Sequence, residues 1–169
     1  MANFELKPVY GTTDYPFLAE LERHWEVFRD ECLAVQDRFA RWPEHDYVKG
    51  EWSIFHMLEE PDGRPTEQAL KYCPRSVELA LRIVPRPGTA GFFRLGPGTH
   101  LRAHADKKRD VLRLHLGLVI PEGDLGFIVR DHTVQWTPGG TFAFPDCFEH
   151  TAWNLTNEPR YVFLCDFRV

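Results

Sequence analysis

The chain has 169 residues, a formal net charge of −5 at pH 7, and 43% hydrophobic and 14% aromatic residues. This length suits one domain with a sizeable core, and the apolar content excludes a disordered chain. The acidic balance provides no phosphate-tracking surface, which excludes nucleic acid as a partner. No apolar run approaches the ~20 residues that span a bilayer, so no membrane association is expected.

Met1-Ala2-Asn3-Phe4-Glu5-Leu6-Lys7-Pro8 lacks the basic region and apolar run of a signal peptide. From Thr13 to Phe39 the residues Phe17, Leu18, Leu21, Trp25, Phe28, Cys32, Val35 and Phe39 recur at three- and four-residue steps. That period predicts one helix with a buried stripe, capped by Thr13 or Asp14 and with Pro16 in its first turn. His24 within it reads as structural. A strand is expected at Trp52 to Leu58, then a polar loop from Glu59 to Pro65, and a helix from Pro74 to Val84 carrying Val77, Leu81 and Val84 on one side. Cys32, Cys73, Cys147 and Cys165 are scattered, which reads as free thiols in a reducing, cytoplasmic setting.

After Pro85-Arg86-Pro87-Gly88 the pattern becomes strands and turns. Strands are predicted at Gly91 to Leu95, Leu101 to Asp106, Val111 to Val119, Leu125 to Val129, Thr133 to Trp136, Gly140 to Phe144, Glu149 to Asn154 and Tyr161 to Phe167. Gly96-Pro97-Gly98, Pro121-Glu122-Gly123-Asp124, Thr137-Pro138-Gly139-Gly140 and Asn154 to Pro159 punctuate them. Short strands with regular turns predict a mainly β (α+β) fold. We expect a double-stranded β-helix (jelly roll, cupin-like) with N-terminal and flanking helices. It forms a single domain over 1–169, with a helical front at 13–84 and a strand-rich core at 91–169.

The chemistry is concentrated in His104-Ala105-Asp106, with His150 and Arg160 downstream. Side chains alternate along a strand, so a strand through this segment would turn His104 and Asp106 to one face. A third ligand, His150, would come from a distant strand closed onto the first. Two imidazoles and one carboxylate leave three positions of a metal open, which is the pattern of non-haem Fe(II) oxygenases. The cysteines form no cluster of the closed kind that structural zinc favours. Arg160 falls one strand further on and supplies the cation that a dicarboxylate co-substrate needs. Lys107-Lys108-Arg109 is the only cationic cluster and reads as a solvated loop.

Further motifs carry a resemblance. Gly50-Glu51-Trp52-Ser53, Gly98-Thr99-His100, Leu112-Arg113-Leu114-His115-Leu116-Gly117-Leu118, and Phe148-Glu149-His150 with Trp153-Asn154 are similar, in the same order, to motifs of the aspartyl/asparaginyl β-hydroxylase family. The resemblance runs from about Gly50 to the C-terminus. It implies a jelly-roll Fe(II)- and 2-oxoglutarate-dependent oxygenase, with O₂ as the oxidant. By position it implies His104 and His150 as iron ligands and Arg160 as the partner of the distal carboxylate of 2-oxoglutarate. It also implies Arg113, His115 and Trp52 as residues of the co-substrate pocket. Animal members of the family have a glycine where this chain has Asp106, so Asp106 would restore a full triad. Phe93 stands at or near a position where some members use a serine.

The expected function is therefore hydroxylation of a C–H bond in an amino-acid-like substrate, whether free, carrier-bound or a peptidyl Asp/Asn-type residue. The alternatives are a cupin-like metal enzyme that does not use 2-oxoglutarate and a non-catalytic ligand-binding jelly roll. His100, Arg102, Arg94 and the Glu59–Pro65 loop are candidates for substrate contact.

Overall fold

The computed structural model describes residues 6–43, 46–108 and 110–169. Met1 to Glu5 of the N-terminal reading and Arg109 of the basic cluster lie outside the described residues. In chain order the elements are α1 (Phe17–Arg23), α2 (Trp25–Ala34), β1 (Ala40–Arg41), β2 (Val48–Lys49), β3 (Trp52–Glu59), β4 (Arg64–Pro65), α3 (Glu67–Tyr72), α4 (Pro74–Ile83), β5 (Pro87–Leu95), β6 (Thr99–His104), β7 (Val111–Val119), β8 (Leu125–Val129), β9 (His132–Val134), β10 (Thr141–Pro145), β11 (His150–Asn154) and β12 (Arg160–Arg168).

The strands form two antiparallel sheets. The larger runs β1-β3-β5-β12-β7-β10 with β4 beside β3, and the smaller runs β2-β6-β11-β8-β9. This is a double-stranded β-helix with its helices packed on the larger sheet. The larger sheet is apolar on both faces, so its strands read as near-continuous hydrophobic runs. Along β12, Tyr161, Phe163, Cys165 and Phe167 pack toward the helices. Val162 and Leu164 pack instead into the space between the sheets. Strand β7 repeats the pattern, with Leu112, Leu114, Leu116 and Leu118 on the helix side. Arg113 and His115 therefore face the other sheet.

The helices meet the sheet through buried apolar faces and a few carboxylates. Thr66 caps α3 by accepting from the Ala69 amide at 3.1 Å. Pro74 opens α4, whose first-turn amides of Ser76 and Arg75 donate to the Glu31 carboxylate at 2.8 and 3.2 Å.

Several expectations need correcting. The single helix expected over Thr13 to Phe39 is two helices broken at His24, whose φ of −109° and ψ of 9° leave the helical region. Tertiary contacts fix that bend. Glu22 of α1 accepts from the Thr141 amide and hydroxyl at 2.9 and 2.7 Å, while the Trp25 ring lies against Gly139, where a Cβ would stand 3.1 Å from it. The strand expected to reach Asp106 ends at His104, because the Asp106 amide leaves the ladder to donate to the Asp146 carbonyl at 2.9 Å. The strand expected at Thr133 to Trp136 is His132–Val134, with Trp136 turned inward. Helix α3 and the two-residue strands β1, β2 and β4 were not expected.

Phe163 is fully buried at the centre of β12, 4.7 Å from the Phe28 ring. Phe163→Ala should cost about 3–5 kcal/mol in denaturant unfolding, whereas Leu155→Ala, at a position 55% exposed, should stay within about 0.5 kcal/mol of the parent.

Candidate active site

His104 is the last residue of β6 and pairs across the smaller sheet with His150, the first residue of β11. Their ring centroids are 4.3 Å apart. The Nδ1 of His104 lies 2.7 Å from the Arg102 carbonyl, and the Nδ1 of His150 lies 2.8 Å from the Phe148 carbonyl. A carbonyl only accepts, so each ring donates from Nδ1, and in a neutral imidazole with that tautomer Nε2 is the atom able to ligate a metal. Burial, with His104 adding to it, lowers the His150 pKa to about 3, which keeps that imidazole neutral. The Tyr47 ring stacks on His104 at 4.2 Å.

Asp106 sits on the loop just beyond β6. It is exposed, and its Oδ1 accepts from the Lys107 amide. Among the described residues no three His, Cys, Asp or Glu side chains converge tightly enough to hold a metal ion. The structure thus brings His104 and His150 together and leaves Asp106 beside them. A carboxylate that sequence reasoning missed lies nearer His150: Asp146 Oδ1 is 3.7 Å from its Nε2. Asp146 is 1% exposed, and burial pushes its pKa up to about 6 against the pull of Arg113.

From β7 and β12 the larger sheet contributes Arg113, His115, Arg160 and Asp166. Arg113 donates from Nε and Nη2 to the two Asp166 oxygens at 2.7 and 2.9 Å. Its Nη1 contacts Asp146 Oδ1 at 2.9 Å without hydrogen-bond alignment. Burial opposes the Arg113 charge, yet Asp166 and Asp146 hold its pKa above the ordinary value. Arg160 has the opposite surroundings. It is 2% exposed, its Nε has no partner among the described residues, and burial alone lowers its pKa to about 9. Its guanidinium carbon lies 4.4 Å from the Trp136 ring centre. His115 is held well below the usual histidine range by burial, followed by Arg160 and Arg113.

Trp52 is 7% exposed and lines both halves of the cavity. The inner chamber, reaching from the two histidines to Arg160, is narrow, with about 30 Å³ of free space. It meets an outer vestibule of about 390 Å³ at His104, Trp52 and Arg113. The vestibule carries Trp42, Tyr47 and Trp52 with Asp106, Lys107 and Lys108.

Of the residues considered for substrate contact, His100 and Arg102 are exposed on the outer face of the smaller sheet. Arg94 alternates with the inward Phe93 and Leu95, so it points to the helix side, where it pairs with Glu51. Only the Glu59–Pro65 loop approaches the vestibule, through Glu60 paired to Lys108 at 2.6 Å. Asp166 was legible but unread: it lies an even number of residues from Arg160 on one strand and must share its face.

A family profile described as Aspartyl/Asparaginyl beta-hydroxylase matches residues 22–169. The chain belongs to this family. An ornithine lipid ester-linked acyl 2-hydroxylase of Rhizobium tropici is 34% identical over 95% of this chain and 60% of its own length. The human aspartyl/asparaginyl beta-hydroxylase is 35% identical over 86% of this chain and 20% of its own length. The chain therefore spans less than two thirds of either relative. Among solved structures, a Pseudomonas putida prolyl-4-hydroxylase aligns with a TM-score of 0.57 at 18% identity, covering 87% of this chain and 86% of that one. A predicted oxalate decarboxylase from Thermotoga maritima aligns at 0.51 and 14% identity over 78% of this chain and 92% of that one. These two likenesses establish the cupin-like jelly roll. In this member of the hydroxylase family the family match covers every strand of the larger sheet and the whole cavity between the sheets.

The bidentate pair makes a direct prediction. Asp166→Asn removes one partner of a buried ion pair and should destabilise the protein by about 3 kcal/mol in urea unfolding; a loss below about 1 kcal/mol would show that Asp146 alone satisfies Arg113.

Proposed function

We propose that this chain is an Fe(II)- and 2-oxoglutarate-dependent dioxygenase that hydroxylates a C–H bond of an amino-acid-like substrate, free, carrier-bound or peptidyl. The observation that carries this reading is Arg160. An uncompensated guanidinium in an apolar chamber is costly. A dicarboxylate entering from the histidine end would supply the missing partner through a two-point fork. The donor set fits an iron ion, since two imidazoles bound through Nδ1 to carbonyls stand on neighbouring strands with carboxylates close by.

When bound, iron with 2-oxoglutarate and O₂ supplies the oxidation of C–H to C–OH, with release of succinate and CO₂. The chain supplies placement. His104 and His150 hold the metal, Arg160 pairs with the far carboxylate, and His115 and Trp52 line the path between them. Arg113 braces Asp146 and Asp166 at the junction with the vestibule, where a substrate would stand. Asp106, on the loop just beyond His104, would be the carboxylate of the ligand set.

The substrate must occupy the vestibule. Its aromatic wall, with Trp42 and Trp52 rings 5.0 Å apart and Tyr47 6.0 Å from Trp52, equally favours an acyl-type substrate of the kind named for the Rhizobium relative. The four free cysteines support a reducing, cytoplasmic location, and among the described residues no helix is long and apolar enough to cross a membrane.

Anaerobic titration with Fe(II) and 2-oxoglutarate should produce the visible charge-transfer band of their chelate, and oxygen with substrate should then yield succinate. His104→Ala and His150→Ala should lose both. Full turnover without 2-oxoglutarate would overturn the proposal in favour of another cupin-like metal enzyme, and metal-independent binding without turnover would favour a ligand-binding jelly roll. Arg160→Leu separates function from structure: 2-oxoglutarate binding should weaken about 100-fold, the loss of a buried charge-assisted pair, while the thermal midpoint of the metal-free protein holds or rises. For the carboxylate, Asp106→Ala should weaken Fe(II) binding more than about tenfold and Asp146→Asn by less; the reverse order would make Asp146 the ligand.

A further inference from the structure

Trp136 was no part of the sequence pattern that located the site, yet it touches two of its residues. It is 5% exposed, and its indole Nε1 donates to His115 Nδ1 at 3.1 Å. The two ring planes are within 5° of parallel, as an in-plane bond requires. The face of the same indole carries the Arg160 guanidinium, 4.4 Å from the ring centre. One side chain therefore holds a histidine by its edge and an arginine by its face.

The placement of Trp136 depends on Gly117. The Gly117 and Gly139 amides bond across to the Gly140 and Gly117 carbonyls at 3.0 and 2.8 Å. A Cβ on Gly117 would stand 2.1 Å from the Thr137 carbonyl oxygen. Only glycine lets the turn after Trp136 lie this close to β7, which brings the indole level with His115.

An indole N–H can only donate, so His115 Nδ1 must be an acceptor. The groups facing His115 are the aromatic rings of Phe127, Phe142 and Phe144, with Arg160, Arg113 and His150 beyond. None of them favours an imidazolium. A neutral ring that accepts at Nδ1 carries its proton on Nε2, and no protein acceptor for that N–H is found among the described residues.

The geometry points to Trp136 as a positioning residue that locks His115 in its Nε2–H tautomer and holds Arg160 in place, so that both present donors to one anionic group in the inner chamber. The role of that anion rests on the proposed use of 2-oxoglutarate, but the tautomer lock does not. Without the lock, His115 could turn a lone pair toward the carboxylate and repel it.

The decisive measurement is ¹⁵N NMR of histidine-labelled, metal-free protein. Wild-type His115 should show a protonated Nε2 and an unprotonated Nδ1, and Trp136→Phe, which keeps an aromatic face for Arg160, should shift the ring toward a tautomer mixture. The variant should also bind 2-oxoglutarate about tenfold more weakly, the equivalent of one hydrogen bond to a charged group, with an unchanged affinity for Fe(II). A protonated Nδ1 in the wild type would overturn the inference whether or not the variant folds, and so would an unaltered tautomer in a folded Trp136→Phe. If the wild type shows the Nε2–H form but fails to bind 2-oxoglutarate, the co-substrate reading falls and the tautomer lock stands.

Discussion

The two-residue period of neighbouring strands β7 and β12 governs the rest of the structure. Each strand must bury apolar side chains on two faces at once, one row under the helices and one between the sheets. The charged residues Arg113, Arg160 and Asp166 are therefore turned into the space between the sheets, and Arg168, at the end of β12, keeps a side chain 33% exposed. On β12 the inward row begins at Arg160, passes Val162 and Leu164, and ends at Asp166; on β7 it includes Arg113 and His115. A slip of one residue would drive these groups into the helix-side core and expose Phe163 and Leu114 to the cavity. The register that packs the core is the register that builds the site.

The same strand pair treats its two arginines in opposite ways. Arg113 is satisfied by Asp166 and approached by Asp146, so its charge is compensated before any ligand arrives. Arg160 has an aromatic face and, among the described residues, no carboxylate partner. A compensated buried cation braces structure, whereas an uncompensated one stores unfavourable energy that an anionic partner relieves. The fold tolerates that cost because it is set against a large apolar core and partly offset by the indole. Stability and ligand affinity thus oppose each other at Arg160, as they often do where a site is preorganised.

Much of this was legible in the sequence because it depends on periodicity. The long strands β3, β7, β8, β11 and β12 appear close to where alternation and turn residues placed them, and the His104 and His150 pairing follows from closing those strands. The failures have local causes. Helix α1–α2 breaks at His24 because Glu22 and Trp25 reach tertiary partners, which a 3.6-residue period cannot register. Two-residue strands such as β1 and β2 present no period at all. Strand β6 was extended to Asp106 by the HxD spacing itself, although the backbone amide of Asp106 is taken by Asp146. Trp136 lies in the irregular segment after β9, where the expected strand has already ended, and Asp146 lies in the turn after β10, so alternation does not indicate which way either side chain points.

The division of the cavity separates chemistry from selection. The inner chamber is walled largely by aromatic rings and has little free space, and under the proposed function it takes a small, narrow molecule with an anionic end at Arg160. The vestibule is wider and lined by the strand residues Trp52, Thr89, Arg113 and Asp166 together with the β1–β3 connections and the loop after β6, whose Lys108 is paired to Glu60 of the loop after β3. Loops tolerate substitution and insertion more readily than paired strands. Changes around Trp42, Tyr47 and Lys108 can therefore alter what stands before the histidines without disturbing the strands that hold them. Under the proposed function, substrate choice is then a property of the rim, while the reaction belongs to the sheet.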